Sequence, residues 1–366
     1  MKRKKKNLPD IPFILNEAIK NQRAVLLFGA GASKECKDKH GNRPPNGFQL
    51  RDVLAEKFLG TSNDQRDLMT VAEMAISSGA GEAAVFDEIE RSWRDFETSE
   101  AHKKLSMFRW RGLATTNYDS FIEDGYVASV NPTQTCLSFV KDAEPFDDRI
   151  RAELNPVALL KLHGCLNHRL DTEIPLVLSH EHYAKYAQNR TQLFQRLTLW
   201  ASESPLVFVG YSLQDSHIRK LLYELESRKR PRWFIVTPNA DKHDINFYSN
   251  HNIEIITATF GEFIEAVDNS IPELFRALAQ PSASTSEPFR KFYRTTEIES
   301  AELKSSLQKD FTFVHAGLSS ENVSAKNFYS GHGSGWSGVL QDFDFRRGVG
   351  ESLLYKTVLE NEAPTE

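Results

Sequence analysis

Short apolar runs, each closed by glycine or a polar residue, recur along the first 270 residues. Residues 24–28 read Ala-Val-Leu-Leu-Phe and stop at Gly29. An unbroken apolar run of this length reads as a strand buried on both faces, and so as a member of a parallel sheet. The same signal returns at residues 112–116, 157–161, 206–209, 233–236 and 253–256, with helical patterns between most of them. Asn46 is placed as the N-cap of a helix running to about Phe58, and helical patterns continue to about Phe108. Alternating strand and helix predicts an α/β fold, a doubly wound, Rossmann-like parallel sheet with a helical insertion or layer after its first strand. Ligands of such sheets bind at the carboxyl ends of the strands.

Composition changes near Gln280. Residues 281–288 read Pro-Ser-Ala-Ser-Thr-Ser-Glu-Pro, a linker by its own chemistry. The expected organisation is a basic tail and lead-in helix over 1–21, a nucleotide-binding domain over 22–280, the linker at 281–288, and a C-terminal extension over 289–366. The extension carries Gly-His-Gly-Ser-Gly at 331–335 but no clear core pattern; it reads equally as a small module or as the lead-in to a missing or partner domain.

Charge and cysteine content narrow the function classes. The formal net charge is −5, so nothing in the overall balance favours nucleic acid, and the lysines at 2–6 read as a solvated tail. No apolar run approaches membrane-spanning length and the basic start lacks the apolar stretch of a signal peptide, which points to the cytoplasm. Three cysteines, at 36, 136 and 165, have no paired spacing, so neither a disulfide framework nor a four-cysteine zinc module is expected.

Four polar strand ends carry the candidate chemistry. Gly29-Ala30-Gly31-Ala32-Ser33 comes directly after the first strand; its glycines permit a tight turn close to a pyrophosphate, with Ser33 adding a hydroxyl donor, although the third glycine of the dehydrogenase fingerprint is missing. A turn packed only for space reads the same residues as well. Thr115-Thr-Asn-Tyr-Asp119 puts Asn117 and Asp119 two residues apart, suited to a ribose or water and to a ligand carboxamide; the alternative is that Asn117 turns the chain and Asp119 caps the helix near Ser120. Lys161-Leu-His-Gly164 offers His163 as a base near neutral pH, against the ordinary buried or exposed histidine. Gly210-Tyr211-Ser212-Leu-Gln-Asp215 presents a hydroxyl and a carboxylate, and equally a capped strand-to-helix turn.

Taken in this order, Gly-Ala-Gly-Ala-Ser at 29–33, Thr-Asn-Tyr-Asp at 116–119, Lys-Leu-His-Gly at 161–164 and Gly-Tyr-Ser-Leu at 210–213 resemble the sirtuin nucleotide-binding signature over residues 22–270. The chain looks more like the sirtuin-like NADases of prokaryotic anti-phage defence than the protein deacylases, which usually carry two Cys-x-x-Cys pairs that this chain lacks. The resemblance implies NAD+ as substrate with no metal, Asn117 and His163 as the catalytic pair, and Asp119 near the nicotinamide. It places Gly29, Ala30, Gly31, Ala32 and Ser33 around the phosphates, and Gly210, Tyr211, Ser212 and Asp215 on the adenosine side. The implied reaction is cleavage of the nicotinamide to ribose bond, giving nicotinamide and ADP-ribose, with cyclisation left open. Restraint by a homo-oligomer or by a partner or sensor protein is implied, because unrestrained cleavage would exhaust the cell. Protein deacylation, a non-catalytic NAD+ or ADP-ribose sensing module, and a scaffold for an ATPase or nuclease partner are the competing readings.

Overall fold

The computed structural model describes residues 8–271 apart from 63, 131, 154 and 212–214. The lysine cluster, Ser212, the 281–288 linker and the 289–366 extension therefore lie outside the described residues.

Among the described residues, seven strands form one parallel sheet: β1 Val25–Phe28, β2 Gly112–Thr115, β3 Thr135–Phe139, β4 Pro156–Lys161, β5 Leu206–Val209, β6 Trp233–Thr237 and β7 Ile253–Thr257. Their order across the sheet is β3-β4-β2-β1-β5-β6-β7, and every pairing is parallel. The chain enters at the centre with β1, builds outward through β2 to one edge, then returns to the other side of β1 with β5. The reversal between β1 and β5 is the switch point at which a doubly wound sheet opens a crevice above its carboxyl ends.

Around the sheet lie α1 Phe13–Lys20, α2 Gly47–Leu54, α3 Leu68–Ala75, α4 Gly81–Trp93, α5 Glu100–Leu105 and α6 Phe121–Ala128. They are succeeded by α7 Phe146–Ala152, α8 His180–Ala184, α9 Thr191–Glu203, α10 Ser216–Glu224, α11 Lys242–Asn250 and α12 Phe260–Ser270. Asn46 caps α2 as its sequence position suggests, its side chain accepting from Gln49 N while Gln49 returns a bond to the Asn46 N–H. The helix extends through a π-helical turn at Ala55–Leu59.

The period of two along the strands divides the core. Leu26, Phe28, Leu113, Leu159, Val207, Val209 and Phe234 bury against one helical layer that contains α1, α5, α6 and α12. Val25, Leu27, Ala114, Leu160, Phe208 and Trp233 bury on the opposite face against α9 and α10. A third cluster joins the insertion between β1 and β2 to the segment after β4: Leu54, Val71, Phe86 and Ile89 pack with Leu166, Leu176 and Leu178. A hydrogen bond of 2.6 Å between His182 Nε2 of α8 and Glu82 Oε1 of α4 crosses the same seam. Among the described residues, no helix is long and apolar enough to cross a membrane.

At the α5–α6 crossing lies His102, which is buried and shares a hydrogen bond with Ser99 Oγ at 2.7 Å. Burial pushes its pKa from 6.5 down to about 3. The unfolded chain therefore takes up this proton first, so the stabilisation is fully present above about pH 6.5 and is lost as pH falls below it. This residue contributes a slope of up to about 1.4 kcal/mol per pH unit across that window. Urea unfolding at pH 7 and pH 5 is expected to show a smaller acid loss for His102→Gln than for the native chain; equal losses would remove His102 from the account.

Candidate functional site

The turns leaving β1 and β5 meet backbone to backbone. Gly29 N donates to Val209 O at 3.0 Å and Gly31 N donates to Gly210 O at 2.8 Å. A Cβ on Gly31 would come within 2.7 Å of the Gly210 backbone, and one on Gly29 would collide with the Tyr211 ring. Gly210 itself has φ +61, a left-handed conformation that favours glycine. The β1 turn leads into a 3-10 segment, Ala32–Glu35, and not into a long helix whose N-terminus could cradle a pyrophosphate. The Gly29, Gly31 and Ala32 N–H groups are all bonded within the protein.

Ser33 lies between the two polar residues of the β2 end. Its hydroxyl donates to Asp119 Oδ2 at 2.8 Å and accepts from Asn117 Nδ2 at 3.0 Å. Asn117 Nδ2 also donates to Gly29 O at 3.0 Å, and its own N–H is bonded to Thr115 Oγ1. With the amide nitrogen fixed by two acceptors, Asn117 Oδ1 is the end of the side chain free to accept from a water or a hydroxyl. The Ser33 hydroxyl joins Asn117 to Asp119; a buried carboxylate requires such donors.

Asp119 is buried, and desolvation raises its pKa while Lys161, the Ser33 hydroxyl and the Phe121 N–H oppose the rise. The bond from Phe121 N to Asp119 Oδ1, 3.2 Å, is the helix-start contact that its sequence position allowed. Lys161 is fully buried at the end of β4, bonded to the Asp119 carbonyl and 3.3 Å from Glu123 Oε1. Burial works against its ammonium, but Glu123, Cys165 and Asp119 outweigh it and hold the pKa above the ordinary lysine value.

His163 lies two residues beyond β4 and is 3% exposed. Gly164, at φ +95, turns the chain beside it, where a side chain would press on Leu176 and Pro175. The histidine's backbone carbonyl accepts from Val177 N at 2.9 Å, Tyr118 Oη donates to Val177 O at 2.7 Å, and Tyr118 O accepts from Leu166 N at 2.9 Å. Tyr118 thereby ties the Asn117 loop to the His163 loop. Desolvation pushes the His163 pKa down to about 4; Asp215 opposes this, while His217 and Arg190 add to it. The imidazole is neutral at pH 7 and able to accept a proton.

Asp215, which the sequence reading set on the adenosine side, stands with its Oδ2 3.2 Å from His163 Nε2, while its Oδ1 caps α10 by accepting from the N–H groups of His217 and Ile218. His217 enters the same group, its Nδ1 3.8 Å from Asp215 Oδ1 and its ring stacked on Tyr186 at 3.4 Å between centroids. Tyr211 is buried, with its ring against Gly29. The structure thus bonds Gly29, Ser33, Asn117 and Asp119 into one array, bonds the adjoining Gly31 to Gly210, packs Tyr211 against Gly29, and sets Asp215 against His163. Sequence reasoning missed Lys161, Tyr118, Arg190 and His217. Lys161, Tyr118 and His217 each lie within two residues of a residue it did single out; Arg190 had no neighbouring signal.

Residues 111–256 match the model of the SIR2-like domain family. The chain is 25% identical over 231 residues to the NAD(+) hydrolase ThsA of Enterococcus faecium, a match covering 60% of this chain and 44% of that protein. It is 24% identical over 255 residues to defense-associated sirtuin 2 of Bacillus subtilis, covering 67% of this chain and 24% of that protein. The chain therefore matches less than half of either relative. Among solved structures, a Sir2 homologue in complex with NAD aligns with a TM-score of 0.44 at 12% identity, covering 72% of this chain and 96% of that one. A Sir2 enzyme solved for its mechanism and regulation aligns at 0.40 and 14% identity, covering 70% of this chain and 95% of that one.

Gly31→Ala tests the contact that brings the two turns together. Because the added methyl meets Gly210 backbone and not a flexible side chain, the substitution is expected to lower stability in urea unfolding by about 1–3 kcal/mol. An unchanged midpoint would mean that the turns separate at no cost.

Proposed function

We propose that this chain, whose residues 111–256 match the SIR2-like domain family, is an NAD+ hydrolase that cleaves the nicotinamide to ribose bond. The observation that carries the reading is the Ser33–Asn117–Asp119 array together with the buried His163 facing Asp215, at the carboxyl ends of β1, β2 and β4. The curated relative described as an NAD(+) hydrolase supports the same chemistry.

The leaving group sets what the site has to do. Nicotinamide in NAD+ carries a positive charge, so it departs as a neutral molecule with the bonding pair and needs little acid catalysis. The site must instead orient the ribose, favour an oxocarbenium-like transition state and place a water. We assign the turn at 29–33 to the pyrophosphate side from its position after the first strand of the sheet. Asn117 Oδ1 holds the water or a ribose hydroxyl in this reading, its direction fixed by the bonds from Nδ2 to Gly29 and Ser33. The water oxygen bonds to the ribose C1′ as the C1′–N bond breaks, and the water's proton passes to His163. Asp215 then faces the imidazolium that results, 3.2 Å from Nε2. Asp119 acts behind this group: through Ser33 it keeps Asn117 in place. Tyr211 and Gly210 close the wall on the β5 side, where the adenosine half is assigned.

The biological setting we infer is anti-phage defence by NAD+ depletion, in the cytoplasm, with activity restrained by self-association or a controlling partner; the defence-associated relative supports the setting.

The test measures nicotinamide release from NAD+ by the purified chain, with and without an acetylated peptide. Release without peptide is expected, with Asn117→Ala and His163→Ala each lowering it by about 100-fold or more. Dependence on the peptide would replace hydrolysis by deacylation. Binding of NAD+ with no nicotinamide released under any condition would favour a sensing module.

A further inference from the structure

His163, Asp215 and His217 each present one ligand atom to a common point, all within 4.8 Å of one another. Two features separate this group from an ordinary ion pair. His163 Nε2 and His217 Nδ1 are both buried and without a hydrogen-bond partner, although each faces the Asp215 carboxylate. Buried polar nitrogens are normally satisfied, and two left open around one carboxylate point to something that takes their lone pairs. The separations also suit a small ion. A tetrahedral zinc with ligands at about 2.0–2.2 Å sets its ligand atoms about 3.3–3.6 Å apart; His163 Nε2 lies 3.2 Å from Asp215 Oδ2, and His217 Nδ1 lies 3.8 Å from the other oxygen, Oδ1. Drawing one ligand atom of each residue from within 4.8 Å to that spacing takes a movement on the order of 1 Å.

We propose that His163, Asp215 and His217 form an inhibitory zinc site. Two imidazole nitrogens and one carboxylate oxygen select zinc over magnesium or calcium, which prefer oxygen alone. Three protein ligands leave a fourth position open. The elements fix the ligands in advance: Asp215 is anchored by its cap on α10, His163 by the turn at Gly164, and His217 by its stack on Tyr186. Arg190 works against a cation here, and Asp215 supplies the opposing charge. The inhibitory part rests on the NAD+ cleavage reading: a nitrogen lone pair bonded to zinc cannot accept a proton, so the ion and catalysis compete for His163.

The experiment titrates zinc chloride into the chelator-treated full chain against a chromophoric competitor, in parallel with nicotinamide release. One zinc per native chain is expected, bound at least about tenfold more weakly by His217→Ala and by His163→Ala. Zinc is expected to suppress release by the native chain and to leave release by His217→Ala largely intact. Equal binding by the native chain and both variants would overturn the site and place the ion elsewhere, for example on the cysteines. Zinc bound through these residues without any effect on release would overturn the inhibition. His217→Gln, with circular dichroism to check folding, replaces His217→Ala if the alanine variant is unstable. Absence of release even under chelation would defeat the cleavage reading alone, and the binding comparison would still decide the site.

Discussion

Gly31 and Gly210 face each other across the centre of the sheet with their backbones in direct contact, the Gly31 N–H bonded to the Gly210 carbonyl at 2.8 Å. Neither position has room for a Cβ. This approach sets how closely the β1 and β5 turns converge, and with it the placement of Gly29, whose carbonyl is one of the two acceptors that orient Asn117. Tyr211 comes along with Gly210 and lays its ring over Gly29. A packing constraint at the switch point of the sheet thus reaches the Ser33–Asn117–Asp119 array by a short covalent path. The two readings of the glycine turn, packing and ligand approach, are not rivals: packing is what gives the neighbouring polar groups their positions.

The polar array rests on buried charge. Asp119 and Lys161 are both buried and come from the ends of adjacent strands β2 and β4, with Glu123 of α6 completing the group. Removing one partner from such a set leaves the others uncompensated, a loss of about 3–5 kcal/mol. Hydrogen bonds from Ser33 and Phe121 satisfy the carboxylate, so it is held in one orientation, and the Ser33 hydroxyl inherits that orientation. The result is an asparagine amide whose two ends are not interchangeable, since one is committed to acceptors on β1's turn.

Much of this was legible in the sequence because parallel strands buried on both faces leave continuous apolar runs. β1, β4, β5 and β6 carry such a run, β2 a shorter one, and β7 one broken by Glu254. β3 does not: it lies at the sheet edge, with Thr135 exposed and residues 136–138 only half-buried, and its mixed composition accords with that exposure. The Ser33–Asn117–Asp119 group was present as two motifs 80 residues apart, but their mutual bonding was not, because spacing along the chain does not say which hydroxyl meets which carboxylate. Asp215 illustrates the same gap. Its position before a helix predicts a cap, and it does cap α10; that its second oxygen turns toward His163 depends on β4 and β5 lying on opposite sides of β1 and β2 with their ends converging above the sheet. His217 had no signal apart from its neighbourhood to that cap.

The insertion between β1 and β2 is coupled to the chemistry by its core. Leu54, Val71, Phe86 and Ile89 of the insertion share one apolar cluster with Leu166, Leu176 and Leu178, which flank the bonds that fix the His163 loop. Tyr118 packs against this cluster and donates its hydroxyl to Val177. Close-packed interiors transmit displacement because they do not compress. A shift of α3 or α4 would therefore move the 166–178 segment, and with it the carbonyl bond from Val177 that positions His163. The insertion is thus packed to the loop that carries His163, whereas Asn117 and Asp119 follow directly from the end of β2.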